Sequence, residues 1–222
     1  MRTAIITGAA GGIGGATASD LARWGWRVFG FDLRAGESNL VSSDLAGFGG
    51  SIEPIRVDVT DRAAVEAAVA AVLAATGGTL DAVVANAGVR VAGAFEETPF
   101  AEVRRLFEVN LGGVMHVTRA ALPALRATEG SRVVVVSSVG GLSALPGLAA
   151  YCGSKWAVEG WAESLAHELQ PLGVGVALVE PASVRTGLWD LGTVHGDPDG
   201  PYASLVDAVE AGDEPVCSRS PW

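Results

Sequence analysis

Six short runs of apolar, largely β-branched residues punctuate the chain, at positions 3–7, 27–32, 52–57, 80–85, 133–136 and 174–179. All six read as strands, and the unbroken run Val133, Val134, Val135 and Val136 as one buried on both faces, as in a parallel sheet covered by helices. Between them, apolar residues recur at helical spacing. Ala16, Ala18, Leu21 and Ala22 mark one such segment, and residues 62–75, rich in Ala, Val and Leu, a second. A third starts at Pro99 and carries Val103, Leu106, Phe107, Val109, Leu111, Val114, Met115 and Val117. A fourth, about 151–170, carries Trp156, Val158, Trp161, Leu165 and Leu169. In the third, Asn110, Gly112 and Gly113 are poor helix formers and predict a kink or the close approach of another backbone. Pro123 is expected to bend or end that helix. Residues 40–51 and 89–98 read as loops, 197–201 as a turn and 202–211 as a weak helix. Strands alternating with helices predict a single α/β domain.

Composition narrows the picture. The 222 residues suit one domain, and 30 glycines suit a fold with many tight turns. A formal charge of −10 argues against a nucleic-acid partner, and no basic cluster suggests a membrane surface. Cys152 and Cys217 make neither a disulfide framework nor a metal motif, and Cys152 reads as a small buried hydrophobe rather than a nucleophile. His116, His167 and His195 share no metal-ligand spacing, so no metal is expected. There is neither a leader pattern nor an apolar run long enough to span a bilayer, and a cytoplasmic location is the expectation.

The first candidate for chemistry is the turn Gly8-Ala9-Ala10-Gly11-Gly12-Ile13-Gly14, set between a strand and a helix. Glycine permits positive φ and close approach of phosphate to the backbone, and the free N–H groups of the helix N-terminus suit a pyrophosphate. Asp32, with Leu33 after it, ends the second strand 24 residues beyond Gly8, where an acid can accept the adenosine ribose 2′-hydroxyl. An acid there repels a 2′-phosphate, which favours NAD over NADP, although the Arg34 guanidinium could receive that phosphate. Asp58, followed by Val59, suits either a turn or cap or the adenine edge. Asn86, before Ala87 and Gly88, suits a turn tie, a wall of the cofactor cleft, or both. Asn110 suits a functional role or packing.

The second candidate lies around the fifth strand. Ser138 follows it, at the strand end where open α/β sheets place their ligands. Tyr151 and Lys155 are four residues apart and share one helix face. A phenol, an ammonium and a hydroxyl can together move a proton onto or off an alcohol oxygen. A free phenol holds its proton to about pH 10, and a nearby ammonium favours its ionised form.

These blocks together resemble the short-chain dehydrogenase/reductase family across nearly the whole chain. Thr7-Gly8-x-x-x-Gly12-Ile13-Gly14 is similar to its cofactor turn, Asn86-Ala87-Gly88 to its post-strand motif, and Asn110, Ser138, Tyr151 and Lys155 to its catalytic tetrad. The resemblance implies an NAD(P)-binding Rossmann domain with a parallel sheet ordered 3-2-1-4-5-6-7. It implies that Tyr151 exchanges the substrate proton, Lys155 lowers the phenol's pKa and binds the nicotinamide ribose, Ser138 polarises the carbonyl, and Asn110 holds a relay water. Pro181, Ser183, Val184 and Thr186 would meet the cofactor, and Leu188 and Trp189 would line an apolar substrate pocket beside Ser138 and Tyr151. A homodimer or homotetramer is implied, and the surplus of large apolar groups on two successive helices fits either such a contact or ordinary core packing.

Two departures from the family pattern stand out. Ala182 replaces the usual glycine after Pro181, and would be strained if that position needs positive φ. The end of the chain lacks the family's further helix and seventh strand, which predicts order 3-2-1-4-5-6, truncation or a frame shift after about Glu214, and an exposed edge on strand six. The expected division is a nucleotide-binding and catalytic part over 1–186 and a substrate loop with an irregular tail over 187–222. The resulting expectation is a hydride exchange between NAD(H) and a largely apolar secondary alcohol or ketone, of steroid, retinol or simple alcohol type. The alternative of another class is a dinucleotide sensor or remnant without turnover; an extended-family sugar-nucleotide epimerase would need a substrate domain.

Overall fold

A computed structural model of the chain describes residues 1–35, 49–182, 184 and 193–211. The elements run β1 (Thr3–Thr7), α1 (Gly12–Arg23), β2 (Arg27–Asp32), β3 (Ser51–Arg56), α2 (Arg62–Thr76), β4 (Ala82–Ala85), β5 (Val91–Gly93) and α3 (Phe100–Phe107). A π-helical segment, Glu108–Gly113, joins α3 to α4 (Val114–Ala127); β6 (Arg132–Val136), α5 (Ala149–Leu169), β7 (Gly175–Val179), β8 (Thr193–His195) and α6 (Ala203–Glu210) follow.

Six strands form one parallel sheet in the order β3-β2-β1-β4-β6-β7, the expected 3-2-1-4-5-6. Their continuous apolar runs have a simple cause. Ile5, Phe29, Phe31, Val83, Val133 and Val135 enter the core cluster shared with α2, α4 and α5. The intervening Ile6, Val28, Val84 and Val136 enter the cluster shared with α1. Both phases of the four inner strands β1, β2, β4 and β6 are therefore buried and show no polar alternation, whereas the edge strands β3 and β7 are only partly buried. The chain reverses direction across the sheet between β1 and β4, which opens a crevice at their carboxyl ends. The sheet ends at β3, where Pro54 sits on an edge strand that can spare its N–H, and at β7.

Several expectations require correction. Residues 89–98 are not a plain loop: β5 pairs in parallel with β8, Val91 opposite Thr193 and Gly93 opposite His195, and a 3-10 turn covers Phe95–Glu97. Three residues are too short a run to declare themselves as a strand, and the partner lies a hundred residues on. Pro123 does not end the helix, because α4 continues to Ala127. Ala121, Ala124 and Leu125 on either side of Pro123 are buried in the core, and that packing outweighs one missing hydrogen bond. Leu80 is buried but precedes β4, because its N–H donates to Thr128 Oγ1 at 3.3 Å rather than to a ladder. Ala182 carries no strain of the expected kind, since no described residue other than glycine has positive φ. Most of the expected 40–51 loop, and much of the expected substrate loop, lie outside the described residues. Among the described residues, no helix is long and apolar enough to cross a membrane, and no group of His, Cys, Asp or Glu could hold a metal ion.

Candidate active site

The glycine turn is shaped from both sides. Gly8 and Gly12 have φ of 67° and 56°, which side-chain-bearing residues rarely adopt. A Cβ on Gly14 would lie 2.3 Å from Gly8 O and 2.5 Å from Asn86 Nδ2, so only glycine lets α1 approach the end of β1 this closely. Gly11 is different: a Cβ there would meet nothing within 4 Å. Helix α1 has no side-chain cap and no acidic residue in its first turn, so its N-terminal donors are left to an anion. A dinucleotide pyrophosphate fits such a cradle.

Asp32 closes the cradle. Its Oδ2 accepts from Ala10 N at 2.9 Å and its Oδ1 from Arg34 N at 2.9 Å, while Arg34 Nε stands 3.9 Å away. Leu33 beside it is exposed. Across the crevice Asn86 acts as a tie. Its Nδ2 donates to Thr7 O at 2.9 Å and Gly8 O at 3.3 Å, and the Thr7 hydroxyl accepts from Asn86 N and Ala87 N, each at 2.9 Å. Asp58 Oδ1 accepts from Thr60 N and Thr60 Oγ1, an Asx turn, whereas the cap of α2 is Asp61, which accepts from Ala64 N at 3.0 Å. Val59 packs against Gly113, where a Cβ would come within 2.6 Å of its Cγ2, and Val59 O is bonded to His116 Nδ1 at 2.9 Å. Gly113 thus serves the close packing anticipated for this part of the helix, and His116 is a structural residue.

The interruption in the long helix is the π segment itself, and it holds Asn110. π-turns cost stability and often mark functional sites. Asn110 is fully buried. Its Oδ1 accepts from Val89 N at 2.8 Å, and its Nδ2 donates to Val89 O at 3.0 Å and Ser154 Oγ at 3.1 Å. Ser154 Oγ donates in turn to Tyr151 O at 2.7 Å. This chain of bonds locks the first turns of α5 to the segment after β4. Ser154 escaped the sequence reading because nothing in the local pattern separates a buried serine from an exposed one.

Lys155 and Tyr151 are both buried on α5. Lys155 Nζ donates to Val136 O at 3.0 Å, at the carboxyl end of β6, and lies 5.9 Å from the centroid of the Tyr151 ring. A Cβ on Gly88 would stand 3.3 Å from Asn110 Oδ1 and 3.9 Å from Lys155 Nζ, so Gly88 is where these two groups converge. Burial pulls the Lys155 pKa down to about 8, an effect that the negative charge of Glu159 opposes. Ser138 Oγ accepts from Gly140 N at 3.1 Å, which leaves its own hydrogen to donate elsewhere. Gly140 also abuts Tyr151, where a Cβ would be 3.2 Å from Cε1, so this one glycine meets the Ser138 hydroxyl on one side and the Tyr151 ring on the other. Pro181 O accepts from Val139 N at 3.1 Å and fastens the segment after β7 to the same turn. Val184 is exposed. Ser183, Thr186, Leu188 and Trp189 lie outside the described residues.

A wall that the sequence pattern only hinted at comes from α6. Val209 and Leu205 pack in one cluster with Val91, Leu148, Tyr151 and Cys152. The segment is held by Glu97 Oε2, which accepts from Asp197 N at 3.0 Å, and by Tyr202, whose hydroxyl donates to Glu96 Oε2 at 2.7 Å.

Comparison with known proteins agrees with this geometry. The profile of the family described as short chain dehydrogenase matches residues 2–192. The uncharacterized oxidoreductase YusZ of Bacillus subtilis is 38% identical over 191 residues, covering 85% of this chain and 67% of that protein. The 3-ketodihydrosphingosine reductase of Bacteroides thetaiotaomicron is 33% identical over 186 residues, covering 84% of this chain and 65% of that protein. The chain therefore spans about two thirds of the length of these curated relatives. Among solved structures, a short-chain dehydrogenase from Streptomyces avermitilis superposes with a TM-score of 0.83 at 36% identity, covering 96% of this chain and 79% of that one. A short-chain dehydrogenase/reductase from Burkholderia phymatum in complex with NAD gives a TM-score of 0.83 at 29% identity, covering 100% of this chain and 80% of that one.

Proposed function

This chain belongs to the short chain dehydrogenase family, and on that premise we propose that it exchanges a hydride between NAD(H) and a secondary alcohol or ketone with a largely apolar body. The observation that carries the reading is the convergence of Tyr151, Lys155 and Ser138 around Gly140 and the end of β6, beside the glycine cradle. When bound, the dinucleotide supplies the hydride and a cationic ring in its oxidised form. Gly8, Gly11, Gly12, Ile13 and Gly14 would hold its pyrophosphate, with Asp32 on the ribose and Asp58, Val59, Asn86, Ala87 and Gly88 along the crevice. Ser138 donates to the substrate oxygen and orients it. Tyr151 gives or takes the proton on that oxygen, and the Lys155 ammonium favours the ionised phenol by simple attraction. The Asn110 amide is committed to Val89 and Ser154, so any relay water would be held through its main chain. Leu205 and Val209 supply part of an apolar surface beside Tyr151, which fits an alcohol with a hydrocarbon body. The test is a panel of steroid, retinoid and simple secondary alcohols, assayed with NAD and with NADP. Tight NADH binding without turnover of any member would replace the enzyme by a dinucleotide sensor.

The choice of dinucleotide rests on Asp32. In Asp32→Asn the amide oxygen can still accept from Ala10 N, so the bond to the glycine turn is kept while the charge and the bond from Arg34 N are lost. The kcat/KM with NAD is expected to fall about tenfold or more, as for loss of a charged hydrogen bond, and the value with NADP to rise, aided by Arg34. Unchanged kinetics with both dinucleotides would remove Asp32 from the ribose site.

The same reading includes self-association. An apolar groove of about 730 Å³ runs between α3, the π segment and α5, lined by Phe100, Val103, Phe107, Leu111, Met115 and Gly153. Phe100 is 71% exposed, so nothing in the fold of one chain requires it. A second copy placing its own α5 there would bury it. Phe100→Glu is expected to convert a dimer or tetramer to monomer with little change in melting temperature, which light scattering and calorimetry would read.

A further inference from the structure

We propose that Glu159 is a positioning residue that keeps Lys155 protonated inside the protein, an inference that rests on the roles given to Lys155 and Tyr151 above. Glu159 is 8% exposed, and its Oε1 has no hydrogen-bond partner among the described residues. An interior carboxylate of this kind is costly unless a positive charge compensates it. Glu159 stands four residues after Lys155 on the buried side of α5. Side chains on a helix lean toward its N-terminus, so the carboxylate lies over the turn that carries the lysine.

The fold makes room for this acid. A Cβ on Gly141 would lie 2.9 Å from Glu159 Cγ, from Glu159 Oε1 and from Ser137 Oγ. Ser137 is buried as well and its hydroxyl also has no partner among the described residues. The acid is thus wedged under the turn that carries Ser138, and only glycine at 141 admits it. An apolar side chain would fill this space at no electrostatic cost, so a carboxylate there calls for a reason.

Lys155 provides that reason. It is the only lysine in the chain. Burial lowers its affinity for a proton, and the Glu159 charge acts in the opposite sense. Tyr151 and Cys152, buried on the same helix, are the titratable groups in the turn before Lys155. The elements packed against α5 carry Glu102, Arg104 and Arg105 on α3, Glu108 on the π segment, Arg90 before β5 and Glu180 beyond β7; among the described residues, Glu159 is the charge that raises the Lys155 pKa. Without it the ammonium would become neutral at a lower pH, and with it would go the attraction that favours the ionised phenol.

A single lysine makes the test direct. Protein labelled with 13C-lysine shows one side-chain resonance, whose titration reports Lys155 alone. A midpoint near 8 is expected for the wild-type chain, and one at least about 1 pH unit lower for Glu159→Gln, a tenfold weaker hold on the proton. Glu159→Asp, which keeps the charge, should stay closer to wild type than Gln does. The limb of the kcat/KM profile that depends on the ammonium should move to lower pH by the same amount as the resonance. A Gln variant that is less stable or less active but titrates like wild type would overturn the proposal and reduce Glu159 to packing. A wild-type midpoint below about 7 would leave the lysine neutral despite Glu159 and overturn the proposal even if the Gln variant fails to fold. A shifted resonance in a protein that turns over no alcohol would leave the role of Glu159 standing and remove the hydride-transfer reading instead.

Discussion

Tyr151→Phe is expected to reduce turnover by about three orders of magnitude, within the range that one positioned acid or base supplies, while NADH binding and the melting temperature hardly move. The substitution removes one oxygen and keeps the ring. That ring is what the fold uses: it is buried, lies against Gly140, and packs with Leu148, Val91 and Val209. Volume-conserving changes of this sort usually cost less than about 1.5 kcal/mol. The chemistry, by contrast, has no substitute in the immediate surroundings. Ser138 can donate to the substrate oxygen, but a hydroxyl far from its own pKa cannot serve as the base, and Lys155 is tied to Val136 O. Single-turnover kinetics with NAD, alongside an NADH titration and a thermal melt, separate the two effects. Equal rates for the two proteins would withdraw the phenol from the mechanism.

The second large effect concerns Gly14. A methyl group there would sit 2.3 Å from the Gly8 carbonyl oxygen and 2.9 Å from its carbon, and both are backbone atoms that cannot rotate away. Asn86, which holds β4 to the turn, would be struck at 2.5 Å. Gly14→Ala must therefore push α1 off the end of β1, at a cost on the order of 3 kcal/mol, and deform the cradle in the same movement. Its NADH affinity is expected to fall at least a hundredfold. Gly11→Ala is the control. Its added methyl meets nothing within 4 Å, so the variant should unfold at the wild-type urea concentration. On the proposed seat of the pyrophosphate over this turn, it should still bind NADH more weakly. If Gly11→Ala binds NADH as tightly as wild type, the dinucleotide does not lie over this turn.

Much of this was written in the order of residues. The four inner strands could be read because each is buried on both faces, so Ile5 and Ile6, or Val83 and Val84, both had to be apolar. The glycine turn, Asp32, Asn86 and the Ser138, Tyr151 and Lys155 group could be read because each occupies a fixed offset from the end of a strand or along a helix. Such offsets survive in sequence, since one strand end or one helical turn determines them. The interruption at Asn110, Gly112 and Gly113 was also visible, although its form, a π segment gripping Val89 and Ser154, was not.

What only the folded chain decided are relations between distant segments. The pairing of β5 with β8 joins three residues to three others a hundred positions away, too few to leave a period. Pro123 remains inside α4 because core packing on both sides exceeds its local preference. Ala182 is unstrained because the path after β7 keeps φ negative there. Glu159 looks, in the sequence, like one more acid on a helix facing water. Its burial beneath Gly141, one turn from the only lysine, arises where α5 crosses the end of β6. Local periodicity reports the environment of one element, whereas desolvation and charge pairing depend on which elements meet.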